Sequence, residues 1–432
     1  MNKKLSINAL ESKIFSYPRF LDLTLDRIQS VLQDLGNPHL KLPPIIHVAG
    51  TNGKGSTIAF LYAILKEHGF KVHVFTSPHL MKINERIILA NQEINDDHLM
   101  ELFNICEKSF FNIPITWFEL FTSIAFLGFS QIKADFCLIE TGLGGLHDAT
   151  NIINNPILSV ITSISYDHQD ILGKTLKEIA SQKAGILKKS AVNLIGQNIP
   201  EILNFYRDYM VENELEGRVY NDAYNFYPLD KGFRFQLNNV ANNMEMIIPT
   251  LGLQGQHQMA NASLAFMASH VLKEKGYDIQ HNVIVEAIKN TKWPGRLQQI
   301  STLRLGAEIW VDGAHNQGGM GALLETLEEW LPKSDLHIVL CLSKAKDPIL
   351  FLESLKDKNI NLYAYQNPSD DFISSAALID ISSNMGIKMK KIDDLNAFLE
   401  KFNKNLDLTV KIIFTGSLYF VGQIMRLKNY FV

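Results

Sequence analysis

Between residues 50 and 57 the chain reads Gly-Thr-Asn-Gly-Lys-Gly-Ser-Thr. Glycines at this density let backbone N–H groups come close to phosphate oxygens, and a helix N-terminus behind them adds partial positive charge. Lys54 would reach the terminal phosphates of a nucleoside triphosphate as a point charge. Ser56 or Thr57 could give a hydroxyl to a phosphate or its magnesium ion. The common pattern G-x-x-x-x-G-K-[ST] is not met, because Gly55 separates Lys54 from Ser56. Alone, the stretch also reads as a glycine turn before a helix.

Further along, Glu140 ends an apolar run. In a phosphate-loop fold an acid there holds Mg²⁺, directly or through water; otherwise it is a solvated acid before a turn. Asp167-His168 follow the next apolar run. A lone histidine is more often structural than a ligand, but placement at the end of another strand puts His168 with Glu140 as a metal candidate. Ser77, in a Ser-Pro-His turn, lies on the same rim and could supply a hydroxyl. Lys183, near a helix end, complements the helix dipole by default. In Val311-Asp312-Gly313-Ala314-His315-Asn316, Asp312 could accept from ribose hydroxyls and His315 could lie near a phosphate or ring. The alternative is an Asp-Gly turn with an incidental histidine. Arg296, in Trp-Pro-Gly-Arg, could reach phosphates.

These residues need elements to hold them. Apolar runs predict strands at 45–48, 71–76, 134–139, 157–164 and 191–195. Helical spacing predicts short helices within 10–35, and helices at 56–68, 118–129 and 172–184. Strands alternating with helices imply a mostly parallel sheet covered on both faces, with functional groups at the carboxyl ends of its strands. Residues 205–250, rich in Asn, Tyr and Phe, read as a small antiparallel excursion. A helix follows at 261–275 and a hinge at 293–296. A second alternation has strands at 308–311, 337–342, 361–365 and 411–415, and helices at 319–331 and 393–403. The expectation is α/β throughout: an N-terminal P-loop ATPase domain over 1–295, and a smaller C-terminal Rossmann-like domain over 296–432.

The chain has 432 residues, 46% hydrophobic and 20% charged, with a net charge of -4. That length suits two or three domains, and the charge gives no basic field for nucleic acid. Cys106, Cys137 and Cys341 are far apart and have no zinc spacing. Reduced thiols and a cytoplasmic protein are expected. The N-terminus has no sustained apolar core, so no signal peptide is expected. No apolar stretch reaches the ~18 residues of a membrane span.

Taken together, the motifs resemble the folylpolyglutamate synthase/dihydrofolate synthase family, of bacterial bifunctional type, within the Mur ligase superfamily. The resemblance rests on H-V-A-G-T-N-G-K-G-S-T (47–57), T-S-P-H-L (76–80), N-E-R-I (84–87), E-T-G-L-G-G (140–145) and D-A-T-N (148–151). It continues through D-H-Q-D-I-L-G-K-T-L-K-E-I-A (167–180), K-A-G-I (183–186), G-Q-H-Q-M-A-N-A (255–262), W-P-G-R (293–296), D-G-A-H-N (312–316) and T-G-S-L-Y (415–419). They occur in family order from about residue 20 to near the C-terminus.

The resemblance implies an ATP-dependent ligase that adds L-glutamate to dihydropteroate or reduced folates through an acyl phosphate. Asn52, Gly53, Lys54, Gly55 and Ser56 would bind the ATP phosphates, Asn261 the adenine side, Arg296 the phosphates, and Asp312 with His315 the ribose side. Ser77 and Glu140 would hold one Mg²⁺, and His168 a second, with Lys183 as a carbamoylated lysine ligand. Lys54, Lys183 and His168 would serve the chemistry. The pterin would meet the segment from Leu23 through Thr24, Leu25 and Asp26 to Arg27, then Thr116, Trp117, Phe118 and Glu119, and the loop His147-Asp148-Ala149. A monomer is expected, with neither nucleic acid nor membrane as partner. The sequence departs from the family at Leu146, usually Arg, at Gln182, usually Glu, and at 365–368, where an Arg is frequent. Two other readings stand beside this one: a cell-wall amino-acid ligase of the same superfamily, and a nucleotide-binding regulator that kept the fold without the chemistry.

Overall fold

The computed structural model describes residues 6–22, 24–110, 113–238, 244–303, 306–331, 333–402 and 409–427. The chain divides into two compact units. One comprises Met1–Ile164, Thr175–Leu251 and Met259–Thr291; the other comprises Ser165–Lys174, Gly252–Gln258 and Lys292–Val432.

The first unit is built on eight strands: β1 (Ile45–Ala49), β2 (Val72–Phe75), β3 (Ile87–Leu89), β4 (Gln92–Glu93), β5 (Phe136–Glu140), β6 (Leu158–Ile161), β7 (Val192–Ile195) and β8 (Gly217–Val219). Their order is β4-β3-β2-β5-β1-β6-β7-β8. Pairings from β2 to β8 across the sheet are parallel, and β3 and β4 add an antiparallel edge. All five residues of β1 and of β5 are buried, as expected of central strands covered on both faces. The helix Lys54–Glu67 follows β1 directly, two residues earlier than the spacing predicted. The helix Trp117–Gln131 buries eleven of its residues. It starts in a reciprocal capping box, Thr116 with Glu119, which satisfies two N-terminal backbone donors.

The antiparallel excursion is present as β9 (Tyr224–Pro228), β10 (Phe233–Leu237) and β11 (Glu245–Ile248), ordered β11-β10-β9. Its start was misjudged: residues up to Glu212 belong to the helix Pro200–Glu212, whose Pro sits where a helix tolerates it best. The helix expected over 172–184 is also interrupted. A short turn, Gln169–Leu172, ends at Gly173, and the helix proper is Leu176–Ala184, capped by Thr175 and Glu178.

The second unit carries β12 (Gln298–Thr302), β13 (Glu308–Val311), β14 (Ser334–Leu340), β15 (Asn361–Tyr365), β16 (Met389–Ile392) and β17 (Thr409–Thr415), ordered β12-β13-β17-β14-β15-β16. Only β12 pairs antiparallel. The helix Gln317–Trp330 buries Leu323, Leu324 and Leu327 in a core with Ile338, Leu340 and Ile413. β14 ends two residues before the expected boundary, and the expected 393–403 helix is the shorter Leu395–Glu400. All three cysteines are free and buried. Burial pushes the Cys106 and Cys341 thiols up to about 12. No helix among the described residues is long and apolar enough to cross a membrane.

Candidate active site

The glycine loop lies at the carboxyl end of β1. Gly53 caps the following helix in the left-handed region, at φ 86°, and no side chain caps that N-terminus. A Cβ on Gly53 would sit 2.3 Å from Asn261 Oδ1, so the loop and the helix His257–Glu274 meet closely here. The loop is braced from the residues just beyond β6. Thr162 Oγ1 donates to Asn52 O at 2.6 Å, and Thr51 N donates to Ser163 O at 2.7 Å. Lys54 is folded into the loop it serves. Its Nζ donates to Gly50 O at 3.1 Å and Thr51 O at 3.2 Å, and lies 3.9 Å from Glu140 Oε1. Ser56 and Thr57 are buried in the first helical turn, and Thr57 Oγ1 has no hydrogen-bond partner among the described residues.

Glu140 is the last residue of β5 and is 5% exposed. Its Oε2 accepts the Ser77 N–H at 3.1 Å. The structure therefore brings Lys54, Ser77 and Glu140 into one corner. The buried Glu140 carboxylate and the half-buried Ser77 hydroxyl carry hard oxygen donors of the kind Mg²⁺ takes. Among the described residues, no three His, Cys, Asp or Glu side chains form a metal-binding group. Lys183 is 3% exposed, at the end of its helix.

The segments predicted for the pterin converge in the same unit. Leu25, Trp117, Phe118 and Ala149 belong to one apolar cluster, and a Cβ on Gly142 would lie 2.4 Å from the Phe118 ring. Leu23 lies outside the described residues. Thr24 Oγ1 accepts the Asp26 N–H at 3.1 Å. Glu119 is heavily engaged: its Oε2 accepts from Thr116 N at 2.7 Å and Thr116 Oγ1 at 2.9 Å, and Arg27 Nε donates to its Oε1 at 3.1 Å. Arg27 also pairs with Asp22. Asp148 is engaged likewise. Its Oδ2 accepts from Leu143 N at 2.7 Å, and its Oδ1 from Thr150 N at 3.0 Å and Thr150 Oγ1 at 2.5 Å. Burial raises its pKa against those hydrogen bonds. Leu146 and His147 stand exposed between these anchors. Leu146 N donates to Gln182 O at 2.7 Å, and Cβ atoms on Gly145 or Gly185 would fall within 3 Å of the opposite backbone.

The placement of His168 at a strand end needs correction. β5 and β6 are not neighbours, since β1 runs between them. His168 lies well beyond the end of β6, in the left-handed region at φ 49°, and belongs to the second unit. In that unit Asp167 is a hub. Its Oδ1 accepts from Lys346 Nζ at 2.6 Å and from His168 N at 2.9 Å, and its Oδ2 from Asn316 Nδ2 at 2.9 Å. His315 Nε2 lies 3.7 Å away. Burial opposes the Asp167 charge, but the His315 contact with Lys346 and His168 nearby holds the carboxyl well below its usual range. Lys346 Nζ also donates to His168 Nε2 at 3.2 Å, which makes that nitrogen the acceptor. Asp312 accepts the N–H groups of Leu297 and Ala314, both at 2.8 Å, and so ties the Trp-Pro-Gly-Arg turn to β13. Arg296 Nε is buried with no hydrogen-bond partner among the described residues.

Sequence reasoning missed Lys346, Thr162 and Thr150. A lysine just past a strand's carboxyl end, as in Ser343-Lys344-Ala345-Lys346, was an available signal for the first. The threonines act through partners more than a hundred residues away, which no local pattern displays.

Residues 48–269 match the Mur ligase middle domain, so fold and loop together define a Mur-type ligase. The chain belongs to the dihydrofolate synthase/folylpolyglutamate synthase family of these ATP-dependent amide ligases. It is 33% identical to the Bacillus subtilis dihydrofolate synthase/folylpolyglutamate synthase over 418 residues, 93% of this chain and 94% of that protein. It superposes on Escherichia coli FolC in complex with DHPP and ADP with a TM-score of 0.85, at 27% identity over 98% of each chain. A bifunctional folylpolyglutamate synthase/dihydrofolate synthase with Mn, AMPPNP and L-glutamate bound gives a TM-score of 0.85, at 26% identity over 98% of each chain.

Proposed function

We propose that this chain joins L-glutamate to dihydropteroate and to reduced folates, using ATP to activate the substrate carboxylate. The observation that carries the reading is the corner where Lys54 faces Glu140 and Glu140 receives the Ser77 N–H. It combines a phosphate-binding cation with oxygen donors, beside a cluster that includes Trp117 and Phe118.

A carboxylate and an amine do not condense in water, so the acid must first become an acyl phosphate. The glycine loop binds the triphosphate through its N–H groups, and Lys54 neutralises charge that builds on the transferring oxygens. Glu140 and Ser77 would hold Mg²⁺, which when bound supplies further positive charge to the phosphates. The glutamate amine then attacks the acyl phosphate, forming a tetrahedral intermediate that releases phosphate and leaves the amide. Asn261 is assigned to the adenine side, at its close approach to Gly53. Arg296 is assigned to the nucleotide phosphates, Asp312 with His315 to the ribose, and carbamoylated Lys183 to a second metal ion. The free, buried thiols support a cytoplasmic setting. We read the protein as a monomer, which sedimentation equilibrium tests.

The deciding experiment measures phosphate release with dihydropteroate, tetrahydrofolate and a nucleotide-linked cell-wall precursor, each with and without L-glutamate. Release that needs both glutamate and a pterin acid is expected. Release with the cell-wall precursor alone would move the protein to the other branch. No release with any acid would leave a nucleotide-binding regulator.

A further inference from the structure

His47 stands in the middle of β1, fully buried, where an aliphatic residue would suit a central parallel strand. Burying an imidazole there costs free energy unless a specific partner repays it. That partner is Thr150, whose Oγ1 lies 2.8 Å from His47 Nε2. The protons along this line can be assigned. The Asp148 carboxylate only accepts, so Thr150 Oγ1–H donates to its Oδ1 at 2.5 Å. The Thr150 oxygen must then accept from His47, which places the ring proton on Nε2. Nδ1 has no hydrogen-bond partner among the described residues. Burial holds the ring neutral, with a pKa lowered to about 3, and Lys188 adds to the effect.

The other fastenings of this loop run within it or to the helix end behind it: Leu143 N to Asp148, Leu146 N to Gln182 O, and Asn151 Nδ2 to Leu146 O at 2.9 Å and Gly185 O at 3.2 Å. The His47 bond differs because it ties Asp148, through Thr150, to the strand that leads into the glycine loop. Between the anchors, Leu146 and His147 project from the loop.

We infer that His47 and Thr150 are positioning residues for the pterin-acid substrate, holding loop 142–151 in register with β1 so that Leu146 and His147 meet the bound acid. This rests on the proposed function. Thr150→Val keeps the shape but removes both the donor to Asp148 and the acceptor for His47. Thr150→Ser keeps the hydroxyl. His47→Leu removes the ring donor and leaves Thr150 in place.

The test uses the full chain and measures KM for dihydropteroate, kcat, the Kd of a non-hydrolysable ATP analogue, and Tm. Thr150→Val should raise KM for dihydropteroate by at least about ten-fold, since two buried hydrogen bonds are lost with the hydroxyl, with the analogue Kd within roughly two-fold of wild type. Thr150→Ser should return KM to the wild-type value. His47→Leu should raise the same KM, and combining it with Thr150→Val should add little, because both break one line. Should Thr150→Val fail to fold, His47→Leu against the Ser variant decides alone. An unchanged KM with only a lower Tm, or an equal rise in KM and analogue Kd, overturns the inference. Wild-type protein inactive on dihydropteroate instead overturns the substrate reading, and the inference with it.

Discussion

Glu119 is predicted to hold the fold of the substrate region. Its side chain is 7% exposed, and that of its partner Arg27 is 14% exposed. Replacing it with alanine leaves the buried Thr116 N–H without its 2.7 Å acceptor, a loss of ~1–3 kcal/mol. It also removes one of the two carboxylates around Arg27. Breaking a buried pair from one side costs ~3–5 kcal/mol. Asp22, 69% exposed, still pairs with Arg27, so the Arg27 contribution shrinks to ~1 kcal/mol and the total for Glu119→Ala is ~3 kcal/mol, set mainly by the orphaned Thr116 N–H. At about 1.4 kcal/mol per factor of ten, the slowest-exchanging amides of the Trp117–Gln131 helix should lose ~100-fold in hydrogen-exchange protection. Glu119→Gln keeps an oxygen for Thr116 and loses only the charge, so ~1 kcal/mol is expected. Exchange followed by mass spectrometry reads both. A Glu119→Ala protein with unchanged protection and a raised KM for dihydropteroate would refute the reasoning, because the carboxylate would then serve the substrate and not the helix.

Lys54→Ala should lower kcat by at least ~100-fold, as loss of a charge acting on the transferring phosphoryl group does, while Tm stays near wild type; undiminished phosphate release would remove the loop from the mechanism. His47 gives a pH dependence with a definite sign. Its folded pKa is lowered to about 3, so between an unfolded value of ~6.5 and about 3 the unfolded chain binds the extra proton. Stability from this group is full above that window and declines as pH falls through it. His47→Leu should therefore flatten the fall in Tm between pH 7 and pH 5, and an unaltered slope would assign the acid sensitivity elsewhere. If Lys183 acts as a carbamate, Lys183→Ala should lose turnover and regain part of it when a short-chain carboxylate is added to supply oxygens of the kind hard Mg²⁺ favours. Full activity in the alanine variant without added carboxylate would leave Lys183 as a helix-end charge.

What could be read in the sequence was what chemistry writes locally. Lys54 sits among glycines, Glu140 closes an apolar run, and both lie where expected. Thr116 and Glu119 carry a capping box at the spacing a first helical turn requires, a local signal that went unread because both were assigned to the pterin. The polar strand β12, Gln-Gln-Ile-Ser-Thr, escaped notice because an edge strand need not alternate cleanly. The helix Pro200–Glu212 was hidden because its second half falls in the Asn- and Tyr-rich stretch that reads as antiparallel strand. His168 was misplaced because the length of the run before it was taken for strand, whereas β6 stops at Ile161. Strand order is invisible from local pattern, so the separation of β5 from β6 by β1 could not be foreseen.

The backbone seam between Gly145 and the 182–185 helix end has a consequence for anyone wishing to change what the enzyme accepts. A Cβ on Gly185 would lie 2.4 Å from Leu146 Cα, and one on Gly145 would lie 2.8 Å from Gln182 O. Neither neighbour is a movable side-chain tip. Libraries that randomise the whole 142–151 loop would thus yield mostly misfolded clones. A library confined to the exposed Leu146 and His147, with Gly145 kept, samples new shapes on an intact frame.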